Sequence, residues 1–406
     1  MAGVAGETGT LRAVLLPVTE PGQERWAHQA STTNHPPSVG SQPGGHTKLV
    51  GYIELNRPAA LNALDVHMVE HMLKAVHAWR IRKDVAGVVI RASPGSHRRP
   101  VFCSGGDVKQ VVQRGLRGDV EWGLRYFTSE YHLNMTLATL AARTTGSMDV
   151  VAINDGITFG GGVGISIHNK YQVCTENTIF AMPECPIGLF PDVGGSYFLS
   201  RRGAVGVYLA LCGARLYGMD VKRAGFATHY VHSSHLPGVM SAIARHGDIR
   251  AALDDGERLS AADGAGRVGG TFPFDIGLEE VFGCTSVEKI TDACRRKAEA
   301  GGEFWVEALS LLGRASPTSL RVTLELLRRG RNMDLSECLK QENRVIQRLT
   351  RDTDSDFYRG VLARLVLKDG DEPAWREPIQ EAAALLQPLE PQYELQLETR
   401  CASHKL

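Results

Sequence analysis

No uninterrupted apolar run in this 406-residue chain approaches the roughly 18 residues that a membrane-spanning helix needs. Nothing near its start has the charged, apolar and small-residue layout of a secretion signal. A soluble protein with no membrane partner is the expectation. Net charge is lacking too: Lys plus Arg and Asp plus Glu both number 45. No global field therefore draws the molecule to nucleic acid, an anionic membrane or an acidic substrate. The eight cysteines form no C-x-x-C pair, and no histidine cluster has zinc-ligand spacing. Reduced thiols in an intracellular protein without a bound metal are the reading that fits. Self-similarity of the solenoid kind is also missing.

What is present is an ordinary globular composition, 43% hydrophobic and 22% charged, sufficient for one large core or two smaller ones. Residues 1–47 are rich in Gly, Thr, Ser, Pro and His, as in Thr32-Thr33-Asn34-His35-Pro36-Pro37. Their weak hydrophobic periodicity predicts a largely disordered extension. Val50, Tyr52, Ile53 and Leu55 then suggest a strand that stops at Asn56-Arg57-Pro58. Leu64, Met68, Met72, Ala75, Val76 and Trp79 recur at helical steps and share one face. Val85–Arg91 and Val150–Asn154 read as buried strands, so residues 48–235 form an α/β core. Residues 236–300 are glycine-broken and read as a variable linker or helical insert. Residues 301–378 are predicted to be helical, notably Ser319–Leu327 and Leu335–Leu349, and 379–406 form a tail.

Glycine is in excess, 44 residues or roughly 11% against an average near 7%, and it gathers in segments that look chemical. Phe102-Cys103-Ser104-Gly105-Gly106-Asp107 is a small turn opening a helix, where unpaired N–H groups face an anion or oxyanion. Asp155–Gly164 contains the triplet Gly160-Gly161-Gly162, which lets a ligand approach the backbone without a Cβ in the way; it lacks the dinucleotide fingerprint. Met182-Pro183-Glu184 and Pro191-Asp192-Val193-Gly194-Gly195 put two carboxylates in an otherwise apolar loop. Apolar surroundings raise carboxylate basicity and suit general-base or nucleophilic work.

Taken in this order and spacing, the three segments resemble the enoyl-CoA hydratase/isomerase (crotonase) superfamily. The likeness begins at Ile53–Met68 (I-E-L-N-R-P-A-A-L-N-A-L-D-V-H-M). Ser316-Pro317-Thr318-Ser319, Asp356–Ala363 and Lys368–Trp375 extend it, to about residues 48–378, towards the 3-hydroxyisobutyryl-CoA hydrolase branch. The resemblance implies a spiral of β-β-α units followed by helices that mediate homo-oligomer contacts. It implies an oxyanion hole from the backbone N–H groups of Ser104 and Gly161, with Gly160 and Gly162 at the substrate and Ala60, Leu61 and Asp107 at coenzyme A. It also implies Glu184 and Asp192 as the catalytic pair, Glu184 acting as nucleophile or as base, and no cofactor beyond the coenzyme A of the substrate. Glu130 matches a substrate-binding glutamate of the hydrolases, or is a solvated helix charge. Hydratases resemble one another in a glutamate where this chain has Gly164, so a hydratase or isomerase is the second reading. A hydrolase-like structural subunit of a mitochondrial ribosome is the third.

Three departures from the branch stand out. The chain is about six residues longer between Glu130 and the triple glycine, around Thr144–Asp149, Met148-Asp149 replaces Lys-Pro, and Arg359 replaces a glutamate. Animal relatives imply the mitochondrial matrix, although Glu7, Glu20 and Glu24 make a poor transit peptide. Ser403-His404-Lys405-Leu406 approximates a peroxisomal address.

Overall fold

The computed structural model describes residues 9–18, 48–95, 99–140, 148–264, 271–368 and 370–397. Most of the expected extension, residues 144–147 of the expected insertion and the Ser403–Leu406 address lie outside them. Strand β1 (Leu11–Pro17) corrects the expectation for the start of the chain. It pairs antiparallel with β2 (Leu49–Leu55), Leu11 opposite Leu55, and buries Leu11 and Ala13 in the main core. Only those two positions alternate inward, too short a pattern to stand out in a polar segment.

The next helix, α1 (Val66–Arg80), starts where the Asp65 carboxylate accepts from Met68 N–H at 2.8 Å. Its Met68, Met72, Val76 and Trp79 are buried on one face. There follow β3 (Val85–Ala92), β4 (Val101–Cys103), α2 (Val108–Gly115) and α3 (Val120–Leu140). After these come β5 (Asp149–Asn154), β6 (Ile157–Phe159), α4 (Gly161–Ile167), β7 (Tyr171–Cys174) and β8 (Ile179–Ala181). The first of each strand pair joins a six-stranded sheet, β1-β2-β3-β5-β7-β10, and the second a four-stranded sheet, β4-β6-β8-β9. Pairing is parallel except at β1–β2 and β8–β9. Repeating that step with a helix after it yields the expected β-β-α spiral. The intervening elements are α5 (Gly195–Phe198), α6 (Gly203–Cys212), β9 (Leu216–Tyr217), α7 (Met219–Arg223) and β10 (His229–Tyr230).

Alternate residues of the larger sheet face opposite ways, and both faces are covered. Ile53, Val88, Ile90 and Val150 point into the main core. Tyr52, Val89, Val151 and Val173 pack instead on α8 (Leu236–His246) and α9 (Ile249–Ala262) through Val239, Ile243, Ile249 and Leu253. The stretch expected as a linker or insert therefore closes the sheet's second face. Short α10 (Leu278–Phe282) and helices α11 (Val287–Glu299), α12 (Glu303–Arg314), α13 (Pro317–Gly330), α14 (Leu335–Arg351) and α15 (Asp356–Val361) make the helical C-terminal region. Residues 379–397, expected as a tail, are packed down. Leu386 and Leu395 are buried in the main core, and Glu394 pairs with Arg344 of α14 at 2.9 Å. Among the described residues no helix is long and apolar enough to cross a membrane.

Candidate active site

Two left-handed residues in succession, Leu61 (φ 51°) and Asn62 (φ 55°), fold the β2–α1 turn onto the end of β4. The Asn62 amide secures it, donating to Val101 O at 3.2 Å and Phe102 O at 3.1 Å while its oxygen accepts from Arg57 N–H at 2.8 Å. Ala60 and Leu61 are thereby set beside Ser104, whose hydroxyl donates to Ala60 O at 3.4 Å. A backbone bond at the same turn overturns the expected role of Ser104. The Ser104 N–H donates to Leu61 O at 3.1 Å, so it is consumed by the turn and is not a donor to an oxyanion. Among the described residues no backbone acceptor takes the N–H of Gly106, two residues on, or that of Gly161 in the open first turn of α4. A methyl on Gly161 would sit 3.1 Å from the Gly106 nitrogen, which places the two donors side by side. The sequence signal for Gly106 was the second glycine of the turn. Asp107 caps α2 through Gln110 N–H at 3.3 Å and pairs with Arg57 at 2.7 Å, so its carboxylate holds this turn together.

The triple glycine is required by what presses on it. Gly160 has φ +47° and ψ −118°, outside the regions open to other residues, and a methyl there would lie 2.5 Å from Glu184 Oε1. One on Gly161 would meet Glu130 Oε1 at 2.4 Å, and one on Gly162 the Cys103 carbonyl at 2.6 Å. Backbone and carboxylates thus converge from β4, α3, α4 and the β8–α5 loop.

Three carboxylates are buried there: Glu130 at 2% exposure, Asp192 at 4% and Glu184 at 6%. Glu130 is therefore no solvated helix charge. Burial drives the Glu184 carboxyl well above the usual range, and the Asp192 charge adds to it. Glu130 is raised well above its ordinary value by burial and by Asp192, with the Tyr126 hydroxyl beside it acting in the opposite sense. Asp192 is pushed up to about 7 by burial, against a hydroxyl hydrogen bond from Tyr131 to its Oδ2 at 3.0 Å. Like charges buried together cannot all be ionised cheaply, which is why the Asp192 charge adds to the rise at Glu184 and Glu130.

Glu184 Oε2 and both polar atoms of Asn134 are buried without a protein partner, and the Tyr126 hydroxyl has only the Glu130 carboxyl beside it. Buried orphans in such numbers mark a place built to receive polar groups from elsewhere. Tyr126, Glu130 and Asn134 stand four residues apart on α3 and so share a face. Neither Tyr126 nor Asn134 was picked out from sequence, and helical spacing from Glu130 was the available clue.

Gly164, the position of the hydratase glutamate, has no room for a side chain: its Cβ would lie 2.6 Å from Val193 Cβ and 3.0 Å from Asn134 Nδ2. Of the other departures, Met148 is buried in the main core. Arg359 pairs with Asp354 at 2.8 Å, and Asp149 pairs with Lys170 at 2.5 Å.

Residues 50–384 match a family model described as enoyl-CoA hydratase/isomerase. The chain is 36% identical over 337 residues to a protein of Danio rerio named "3-hydroxyisobutyryl-CoA hydrolase, mitochondrial", covering 80% of this chain and 82% of that one. It is 37% identical to "3-hydroxyisobutyryl-CoA hydrolase 1" of Arabidopsis thaliana, covering 80% and 84%. Among solved structures it is similar to a carnitinyl-CoA dehydratase from Mycobacterium thermoresistibile, with TM-score 0.72, 32% identity and coverage of 86% and 96%. It is similar also to an enoyl-CoA hydratase from Rhodobacter sphaeroides 2.4.1, with TM-score 0.70, 32% identity and coverage of 86% and 97%.

Proposed function

Because the chain belongs to the enoyl-CoA hydratase/isomerase family, we propose that it hydrolyses a short 3-hydroxyacyl-CoA thioester, 3-hydroxyisobutyryl-CoA first among them, as a step of valine breakdown. The observation that carries this reading is the crowding at Gly164, which excludes the second hydratase glutamate, together with Asp192 buried beside Glu184. Relatives named 3-hydroxyisobutyryl-CoA hydrolase support it across most of their length.

The thioester oxygen lies between the N–H groups of Gly106 and Gly161, which meet the charge that develops on it in the transition state. Glu184, whose carboxylate lies against Gly160, attacks the carbonyl carbon or takes a proton from the water that does. Asp192, held by Tyr131, orients the water or the substrate hydroxyl, and Glu130 receives the hydroxyl. Exclusion of water strengthens each of these contacts. The thiolate of coenzyme A leaves and takes up a proton, the one that Glu184 took from water where Glu184 is the base; where Glu184 is the nucleophile, water then cleaves its anhydride, which releases the acid and restores the carboxylate. No metal or redox group enters this scheme, and coenzyme A comes with the substrate. The C-terminal helices offer a homo-oligomer contact, and neither nucleic acid nor a membrane has a part. Its site in this reading is the mitochondrial matrix, and relatives named mitochondrial support the organelle.

The test is release of free thiol from a panel of 3-hydroxyacyl-, acyl- and enoyl-CoA thioesters. Hydrolysis fastest on the 3-hydroxyacyl members is expected. Hydration of the enoyl member without thiol release would return the protein to the hydratases.

A further inference from the structure

The loop carrying Asp192 is held in a conformation that its own sequence resists. Gly195 N–H donates to Asp192 O at 2.7 Å, closing a four-residue turn. Both central residues have positive φ, Val193 at +51° and Gly194 at +84°, the pattern of a type I′ turn. Glycine, asparagine and aspartate are the residues usual at such positions; a β-branched valine there is an outlier that persists only where its surroundings impose it.

Those surroundings come from two other elements. His168, the residue closing α4, has its Nε2 2.7 Å from Val193 O. Since a carbonyl only accepts, Nε2 carries the hydrogen and donates. From α14, nearly 150 residues away in the chain, Glu342 accepts from Gly194 N–H at 2.7 Å and from Ser196 N–H at 3.0 Å. The Ser196 hydroxyl donates to it as well. Glu342 is fully buried at 0% exposure. A buried carboxylate whose two oxygens are both committed to one turn is an expensive feature, and packing alone does not call for it.

We infer that Glu342 is a positioning residue: with His168 it braces the strained Val193-Gly194 turn and so fixes the direction in which Asp192 enters the site. This rests on the reading of Asp192 as part of the catalytic pair. The helical region, expected from sequence only to follow the catalytic core, thus supplies part of the scaffold of the reaction. Without the brace, Val193 relaxes towards negative φ and the Asp192 carboxylate moves off its partners. Displacement of a catalytic group by about 1 Å costs on the order of 10²-fold in rate.

The experiment is a double-mutant cycle in the full chain, read as kcat and KM for 3-hydroxyisobutyryl-CoA hydrolysis. Glu342→Gln puts an NH2 against the turn's donors and is expected to lower kcat about 10- to 100-fold, with KM little changed because coenzyme A is gripped elsewhere. Hydrogen exchange at Gly194 and Ser196 should rise with it. Val193→Gly removes the side chain that resists positive φ, so Glu342→Gln made in that background should cost a several-fold smaller factor. A general loss of packing would cost the same factor in both backgrounds, and that outcome overturns the proposal. If Glu342→Gln does not fold, Ser196→Ala, which removes one of the three donors, should give a smaller fall in kcat, again softened by Val193→Gly. An unsoftened fall, or none, counts against the brace. Asp192→Asn separates the two ideas. Normal turnover in that variant defeats the reading of the site, whereas an inactive Asp192→Asn beside a fully active Glu342→Gln defeats the brace alone.

Discussion

The hydroxyl of Tyr131 donates to Asp192 Oδ2 at 3.0 Å, and both groups are buried. This bond stabilises the ionised form of Asp192 and restrains the rise that burial imposes on it. If Asp192 sets the acidic limb of the pH–rate profile, that limb is expected near 7, and Tyr131→Phe should move it upward and lower kcat at neutral pH by about 10-fold. A profile that stays in place when the hydroxyl is removed would show that the limb belongs to another group.

Glu184→Gln keeps the side chain's shape while ending its capacity as base or nucleophile. Turnover should fall by about 10²–10⁴-fold, with binding of a thioester analogue, measured by calorimetry, largely retained. Hydrolysis within a few-fold of the parent would reduce Glu184 to a structural part.

The buried acid also makes stability depend on pH, with a definite sign. Asp192 has its folded value raised from 3.8 to about 7. The fold therefore binds the proton more tightly than the unfolded chain does, and stability is lost as pH rises from about 4 through about 7. Asp192→Asn removes that loss. Its melting temperature should exceed the parent's by roughly 5 °C at about pH 8, the gap shrinking towards about pH 5. A constant or inverted gap would contradict the assignment.

Gly164→Glu restores the hydratase residue type in a site without space for it. The added side chain meets Val193 and Asn134, so a destabilisation of about 1–3 kcal/mol is expected in place of new activity. Crotonyl-CoA hydration by this variant would mean that the crowding is not what excludes that chemistry.

Leu11 is the simplest check on the unexpected first strand. Leu11→Ala empties a fully buried position opposite Leu55 and should cost about 2–5 kcal/mol by denaturant unfolding. A loss under about 0.5 kcal/mol would mean that β1 contributes little to the fold in solution.

By itself the sequence determined the features that local pattern encodes. The helical repeat of Met68, Met72, Val76 and Trp79, the apolar strands at Val85 and Val150, and the glycine turns at residues 102–107 and 160–162 all fall where periodicity and turn chemistry put them. Glu184, Asp192 and Gly164 were legible because residue type and spacing carried the resemblance. Features that depend on partners distant in the chain were decided only by the tertiary structure. Ser104 and Gly106 are equivalent as sequence, and which N–H remains free was settled by Leu61 O reaching across from the β2–α1 turn. Glu130 became a buried acid because α4 packs on α3 with a glycine at Gly161. Residues 236–262 and 379–397 look like connections, yet they cover apolar surface that the core leaves open. Glu342 reads as one more charge on an amphipathic helix, and only the fold carries it to the Val193-Gly194 turn. Hydrogen-bond satisfaction and burial are properties of neighbours in space, and no local pattern encodes them.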